Sequence, residues 1–216
     1  MIILNLKTYP QSFDKAIAFS QIAKEVAQES GIRIIICPPH THLRETVEVY
    51  EDIFAQHTDS NSLGAFTGSI PAQALAQMNI KGSLLNHSEK KLPMEKVKTT
   101  IESLANFELE QLVCAESVDE AKKIAAFKPT FIAVEPPELI GSGISVSNAK
   151  PEIITNSVRD IKGINKSISV LCGAGVSNAN DTKKALALRA EGVLLASAFL
   201  KAENPKEFLR GLAAVF

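Results

Sequence analysis

The sequence predicts an α/β fold, a (β/α)8 barrel in which eight parallel strands are each followed by a helical segment. Three observations predict it. Short apolar, β-branched runs recur along the chain, amphipathic helical patterns lie between them, and eight such units fill the 216 residues at about 27 each. No long linker or low-complexity tract interrupts them, so one domain over residues 1–216 is expected. This alternation implies parallel strands joined by right-handed crossovers. It fits an open doubly wound sheet as well as a closed barrel, and the count of eight favours the barrel.

Strands are expected at Ile2–Asn5, Arg33–Cys37, Ile53–Gln56, Gly82–Asn86, Gln111–Cys114, Phe131–Val134, Ile168–Cys172 and Gly192–Leu195. Between the first two, Phe19, Ile22, Ala23 and Val26 mark one helix face, with Ser12 as its N-cap and Gly31 just past its end. Val97, Ile101, Leu104 and Ala105 mark another face. A helix from about Asn178 to Arg189 is capped near Ser177 or Asn178. Phe208, Leu209 and Leu212 form the apolar stripe of a last helix that covers the barrel exterior.

Composition narrows the function classes. With 45% hydrophobic and 22% charged residues the chain is globular, and a net charge of −1 argues against a broad nucleic-acid surface. A local anion site needs no excess of Lys or Arg, because backbone amides can build it. Cys37, Cys114 and Cys172 each close an apolar run; an odd number without metal spacing predicts reduced buried thiols in a cytoplasmic protein. No apolar run approaches the roughly 18 residues of a membrane span. His40-Thr-His42 supplies two imidazoles but no evident third ligand, which disfavours a metal there.

A barrel places its chemistry at the C-terminal strand ends. Asn5 and Lys7 follow the first strand, His87 the fourth and Glu135 the sixth. The run Phe131-Ile-Ala-Val ends in Glu135, followed by Pro-Pro-Glu-Leu-Ile and Gly141-Ser-Gly143, which suits a general base beneath a lid. Gly173-Ala-Gly175-Val-Ser177 and Ala196-Ser197-Ala-Phe199 can expose backbone N–H groups to a phosphate.

The chain resembles the triosephosphate isomerase family, in its short archaeal form, over its whole length. The resemblance rests on Asn5-Leu-Lys7, Gly64-Ala-Phe-Thr-Gly68, Asn86-His-Ser-Glu89, Ala133-Val-Glu-Pro136 with Ile140-Gly-Ser-Gly143, Cys172-Gly-Ala-Gly175 and Gly192-Val-Leu-Leu195. Six weak motifs in the family's order make a specific signal. It implies interconversion of dihydroxyacetone phosphate and D-glyceraldehyde 3-phosphate through an enediolate, a step of glycolysis and gluconeogenesis, with no metal or organic cofactor. By the same resemblance Glu135 is the base and His87 a neutral imidazole electrophile, kept neutral by a helix start near Ser88. The family is a well-known case of such pKa tuning, and both roles are carried over from it. Lys7 is the cation at the enediolate and Asn5 its polar neighbour. Substrate phosphate falls to Ile140, Gly141, Gly175, Ala196 and Ser197, with Ser142 a further lid amide. Glu89 matches a charged position, either a structural ion pair or a support for catalysis. Thr67 lies on a loop expected to enter a second subunit, in a homodimer or homotetramer. No nucleic-acid or membrane partner is implied.

Three departures stand out. The lid segment lacks the Trp of longer members, Gly175 stands where they usually have Ser, and Ala196-Ser197 stands where they have Gly-Gly. Two other readings use the same residues: a phosphate-binding lyase or aldolase with Lys7 as Schiff-base nucleophile, and a non-catalytic sugar-phosphate binder.

Overall fold

Eight aliphatic, β-branched runs become parallel strands: β1 (Ile2–Asn5), β2 (Ile34–Cys37), β3 (Phe54–Ala55), β4 (Gly82–Leu85), β5 (Glu110–Ala115), β6 (Phe131–Val134), β7 (Ser169–Cys172) and β8 (Gly192–Leu195). The structure, a computed structural model, describes residues 1–140 and 144–216. Strand order is β2-β1-β8-β7-β6-β5-β4-β3. The remaining seam, between β2 and β3, is joined by a parallel bridge between Ile36 and Ile53, and Ile36 N–H donates to the Asp52 carbonyl at 3.1 Å. The sheet is therefore a nearly closed barrel, as the count of eight predicts.

The period-2 alternation of each strand sorts its side chains into two layers. Ile3, Ile35, Phe54, Leu84, Leu112, Phe131, Ala133, Leu171 and Leu194 fill the interior. Ile2, Leu4, Ile34, Ile36, Ile132, Val134, Val170 and Val193 pack outward against the helices. Gly82 makes room for the Phe54 ring, since a Cβ there would lie 2.6 Å from its Cζ. Arg33 closes the N-terminal end: its guanidinium reaches Asp52 at 2.6 Å and Glu110 at 3.0 Å, and lies 5.8 Å from the Phe131 ring centroid.

Among the described residues the helices are α1 (Pro10–Asp14), α2 (Ala16–Ser30), α3 (Leu43–Val49), α4 (Ala72–Gln77), α5 (Met94–Ala105), α6 (Val118–Ala125), α7 (Val146–Ala149), α8 (Pro151–Ile164), α9 (Ala179–Ala187), α10 (Ser197–Leu200) and α11 (Pro205–Ala213). Their apolar stripes face the outward strand layer; Phe19 of α2 meets Phe199 of α10 edge to face, 5.0 Å between centroids. None is long and apolar enough to cross a membrane.

Gly31 ends α2 in the left-handed conformation (φ 71°), as expected of a residue just past a helix end. Ser12 is not the cap of that helix. It lies buried within α1, and its hydroxyl donates to the Leu6 carbonyl, tying the chain after β1 to the barrel. Asn178 caps α9, its side chain accepting from Asp181 N–H, which settles the choice between it and Ser177. The third strand is shorter than expected; beyond it the Gln56 side-chain amide donates to the Cys37 carbonyl at 3.0 Å, which also accepts from Leu6 N–H at 3.0 Å.

Candidate active site

Parity along the strands decides what faces the mouth of the barrel. Phe131 and Ala133 point inward from β6, so Glu135 continues their row into the cleft. Cys114 of β5 points inward beneath it, and its thiol favours the ionised carboxylate. From β7, Leu171 and then Gly173 share the inward row. A Cβ at Gly173 would stand 2.4 Å from Glu135 Cγ, so glycine is required for the carboxylate to lie there. Glu135 is only 2% exposed, and its Oε2 has no hydrogen-bond partner among the described residues. Burial pushes its pKa up to about 7, against the lowering pull of the Cys114 thiol and the Lys7 ammonium.

His87 faces this carboxylate, with Nε2 3.8 Å from Glu135 Oε2. Inward parity on β4 runs through Leu84 to Asn86, but Asn86 adopts φ 57° and turns the chain, presenting His87 instead. The turn is anchored by Asn86 itself. Its amide donates to the Cys114 carbonyl (2.9 Å) and Glu120 Oε1 (3.0 Å) and accepts from Leu92 N–H (3.0 Å). The helical start near Ser88 is a three-residue 3-10 turn, Ser88–Lys90, capped by His87 rather than by Ser88. Glu89 N–H donates to His87 Nδ1 at 3.2 Å, so a neutral ring carries its proton on Nε2, toward Glu135. Burial, and then the neighbouring Lys7 charge, lower the His87 pKa to about 4. Neutrality thus follows chiefly from desolvation rather than from a helix dipole.

Lys7 sits at φ 51°, an unfavourable conformation for a side chain of its kind. Two contacts hold it there: its N–H donates to Asn5 Oδ1 at 3.0 Å, and its carbonyl accepts from Gln56 Nε2 at 2.9 Å. Its ammonium donates to Glu89 Oε1 at 2.6 Å. Glu89 therefore touches both neighbours in the site, His87 through its backbone and Lys7 through its carboxylate.

Lys7, His87 and Glu135 line one cleft with Tyr9, Ile140, residues 173–177 and residues 194–198. Ala196 points inward in the row of Leu194 and precedes the first turn of α10, which begins at Ser197. Gly175 holds φ 70°, and a Cβ on it would fall 1.9 Å from the Ile144 carbonyl oxygen. A larger residue is thus excluded there. Asn5 is buried behind Lys7 and lines a neighbouring cleft with Gln56, His57 and Glu89. Thr67 lies apart from all of these on the segment 59–71, which is exposed over residues 62–68. Gly141 and Ser142 lie outside the described residues.

Sequence reasoning gave no role to Gln56 or Asn86, and read Gly173 only as part of an amide loop rather than as the space for Glu135. Gln56 and Asn86 carried one signal, a polar amide where an apolar strand stops, but their partners are 19 to 49 residues away for Gln56 and as far as 34 for Asn86.

Chemically, a desolvated carboxylate facing a neutral imidazole N–H beside an ammonium can move a proton on carbon next to a carbonyl. Comparison with known proteins agrees with that chemistry. The family model for triosephosphate isomerase matches residues 1–213. The triosephosphate isomerase of Methanocaldococcus jannaschii is 45% identical over 214 residues, 98% of each chain. That of Methanothermus fervidus is 42% identical over 98% of this chain and 96% of its own. That of Archaeoglobus fulgidus is 43% identical over 100% of this chain and 97% of its own. Matched from end to end by the family model and by these enzymes, the chain belongs to the triosephosphate isomerase family.

Proposed function

We propose that this isomerase interconverts dihydroxyacetone phosphate and D-glyceraldehyde 3-phosphate with Glu135 as base, His87 as electrophile and Lys7 as stabilising cation. The Glu135 carboxylate takes a proton from the carbon beside the substrate carbonyl. The C–H electron pair forms the enediolate double bond, and the carbonyl π pair moves onto oxygen. His87 Nε2–H hydrogen-bonds that oxygen and helps pass a proton between the two oxygens, while Lys7 offsets the negative charge. Glu135 then returns its proton to the neighbouring carbon, so hydrogen and electrons balance within one substrate molecule. Amides of Gly175, Ala196 and Ser197, with Ile140 and Gly141 from the segment after β6, hold the phosphate, and residues 136–143 act as the lid.

The observation that carries this reading is the unpaired, buried Glu135 Oε2 opposite His87 Nε2. A sugar-phosphate binder would have no use for a desolvated base. The ion pair from Lys7 to Glu89 speaks against a Schiff base, because a nitrogen donating as a cation has no lone pair to attack a carbonyl.

Self-association belongs to the same proposal. The segment 59–71 exposes Leu63 and Phe66 next to Thr67, and a second copy would bring Thr67 to Asn5 and Lys7. The free, buried thiols of Cys37, Cys114 and Cys172 support a cytoplasmic setting.

The test is isomerisation of D-glyceraldehyde 3-phosphate by purified protein beside Glu135→Gln, both from a host lacking its own isomerase. Turnover should fall by about 10³-fold or more in the variant while inhibition by inorganic phosphate persists. Near-wild-type turnover in Glu135→Gln would remove Glu135 from the role of base.

A further inference from the structure

The loop after β7, which carries Gly175, is tied to the chain that follows the lid segment by one buried carboxylate. Asp181 is 4% exposed and accepts from four donors. Ser177 N–H (2.9 Å), Ser177 Oγ (2.8 Å) and Asn178 Nδ2 (3.1 Å) reach Oδ2, and Asn148 Nδ2 reaches Oδ1 at 2.6 Å. Capping of α9 accounts for part of this, because Asp181 N–H donates to Asn178 Oδ1 at 3.0 Å. It does not account for Asn148, which lies 33 residues earlier on α7. Lys184 Nζ donates to Asn148 Oδ1 at 2.6 Å, which fixes that amide with its NH2 toward the carboxylate.

Further bonds join the same two segments. Val146 N–H donates to the Ala174 carbonyl at 3.1 Å, and Ser147 Oγ donates to the Asp181 carbonyl at 3.3 Å. Between them Gly175 lies against the Ile144 backbone with no space for a side chain. The Gly175 backbone is therefore held by the Val146–Ala174 bond and the Ile144 contact on one side and by the Ser177–Asp181 network on the other.

We propose that Asp181 is a positioning residue for binding of the substrate's phosphate. Its carboxylate locks the loop after β7 to α7, so that the Gly175 amide stands preorganised toward a dianion. A carboxylate suits this place because it accepts at both oxygens, whereas an amide of the same shape must turn an NH2 toward one set of donors. The inference rests on the proposed phosphate-binding role of that loop, and it concerns binding of the dianion rather than the proton transfer at Glu135.

The experiment compares wild type, Asp181→Asn and Asn148→Ala in three assays. These are competitive inhibition by inorganic phosphate, KM and kcat for D-glyceraldehyde 3-phosphate, and solvent-deuterium exchange into D-glyceraldehyde, which has no phosphate. In Asp181→Asn the phosphate Ki and the KM should both rise about 10-fold, and in Asn148→Ala about 3-fold, for loss of charge-assisted hydrogen bonds. Exchange into D-glyceraldehyde should stay within about twofold of wild type, which general damage to the barrel would not allow. An unchanged phosphate Ki in the variants overturns the inference, as does exchange that falls in the same proportion as triose phosphate turnover. If Asp181→Asn does not fold, Asn148→Ala decides by the same criteria, since that side chain is exposed. A wild-type protein that isomerises yet is not inhibited by phosphate overturns the phosphate reading of the loop, and this inference with it. That failure shows in the wild type and is distinct from a failure confined to the variants.

Discussion

At the scale of single residues the site works by taking charged groups out of water. Glu135 is raised to about 7 by burial, and His87 is lowered to about 4 by burial and by Lys7. The base must be ionised to act, so kcat/KM should rise with pH up to about 7 and then level off. His87 stays neutral above about pH 5 and adds no second acid limb. A pH–rate profile between pH 4 and 9 checks this; an acid limb near 4.5 would mean that Glu135 is not desolvated. Stability follows the opposite sign from an ordinary paired carboxylate. Because its folded pKa lies above the usual 4.5, the folded chain holds a proton that the unfolded chain has lost. The contribution is fully present below about 4.5 and is lost as pH rises to about 7. Glu135→Gln should therefore be more stable than wild type at pH 8, by up to about 3 kcal/mol, and equal to it at pH 4. Urea unfolding at the two pH values measures the difference. Equal stability at pH 8 would argue against a buried ionised base.

At the scale of elements, the strand ends carry the functional geometry, and this is where the sequence was most and least legible. Glu135, Lys7 and Ala196 could be read because each extends the inward row of a strand whose alternation is plain. The fold itself was legible for the same reason, as the expected strands coincide with the observed ones to within a residue at either end. The shortest, β3, loses a residue at both ends. Beyond it the Gln56 amide reaches the Cys37 carbonyl, and no local pattern announces a hydrogen bond across 19 residues. Helices α7 and α10 have four residues each and α1 five, too few for a 3.6-residue period to register. Asn86 and Asp181 escaped because what matters is their long-range partners. Gln56 offers a test at this scale. Gln56→Leu would leave the Lys7 carbonyl without its amide donor and remove one of two donors to the Cys37 carbonyl, costing about 1–3 kcal/mol. It would also release Lys7 from φ 51° toward a relaxed backbone, moving its ammonium. The expected result is kcat/KM reduced by about 10- to 100-fold with a smaller change in phosphate Ki. Unchanged kcat/KM in a folded variant would show that Lys7 needs no such brace.

At the scale of the molecule, parallel strands in a nearly closed barrel bring every C-terminal strand end to one face, so Glu135, His87 and the loops after β7 and β8 meet without being neighbours in sequence. The same face carries a projection and a recess. The segment 59–71 is pinned at its foot by Asp59, whose N–H donates to the Ile70 carbonyl (2.9 Å) and whose carboxylate accepts from Ile70 N–H (2.8 Å). At its tip Leu63 and Phe66 are each 52% exposed. The recess beside it is lined by Asn5, Lys7, Gln56, His57 and Glu89. A tip and a recess on one face would match under a two-fold axis, each copy inserting its tip into the other's recess. Burying the two apolar side chains would contribute about 1.5–3 kcal/mol apiece, and it would support Asn5 and Lys7 from outside. Phe66→Asp removes one of those side chains and places a charge in the contact. Sedimentation equilibrium should show association weakened by at least about 100-fold, with kcat/KM falling at concentrations where the variant is monomeric. Either a monomeric wild type at micromolar concentration or a Phe66→Asp variant of unchanged mass would place the partner surface elsewhere. If the variant dissociates yet keeps full activity, the recess is an interface and Lys7 is held by its own chain alone, through Asn5 and Gln56.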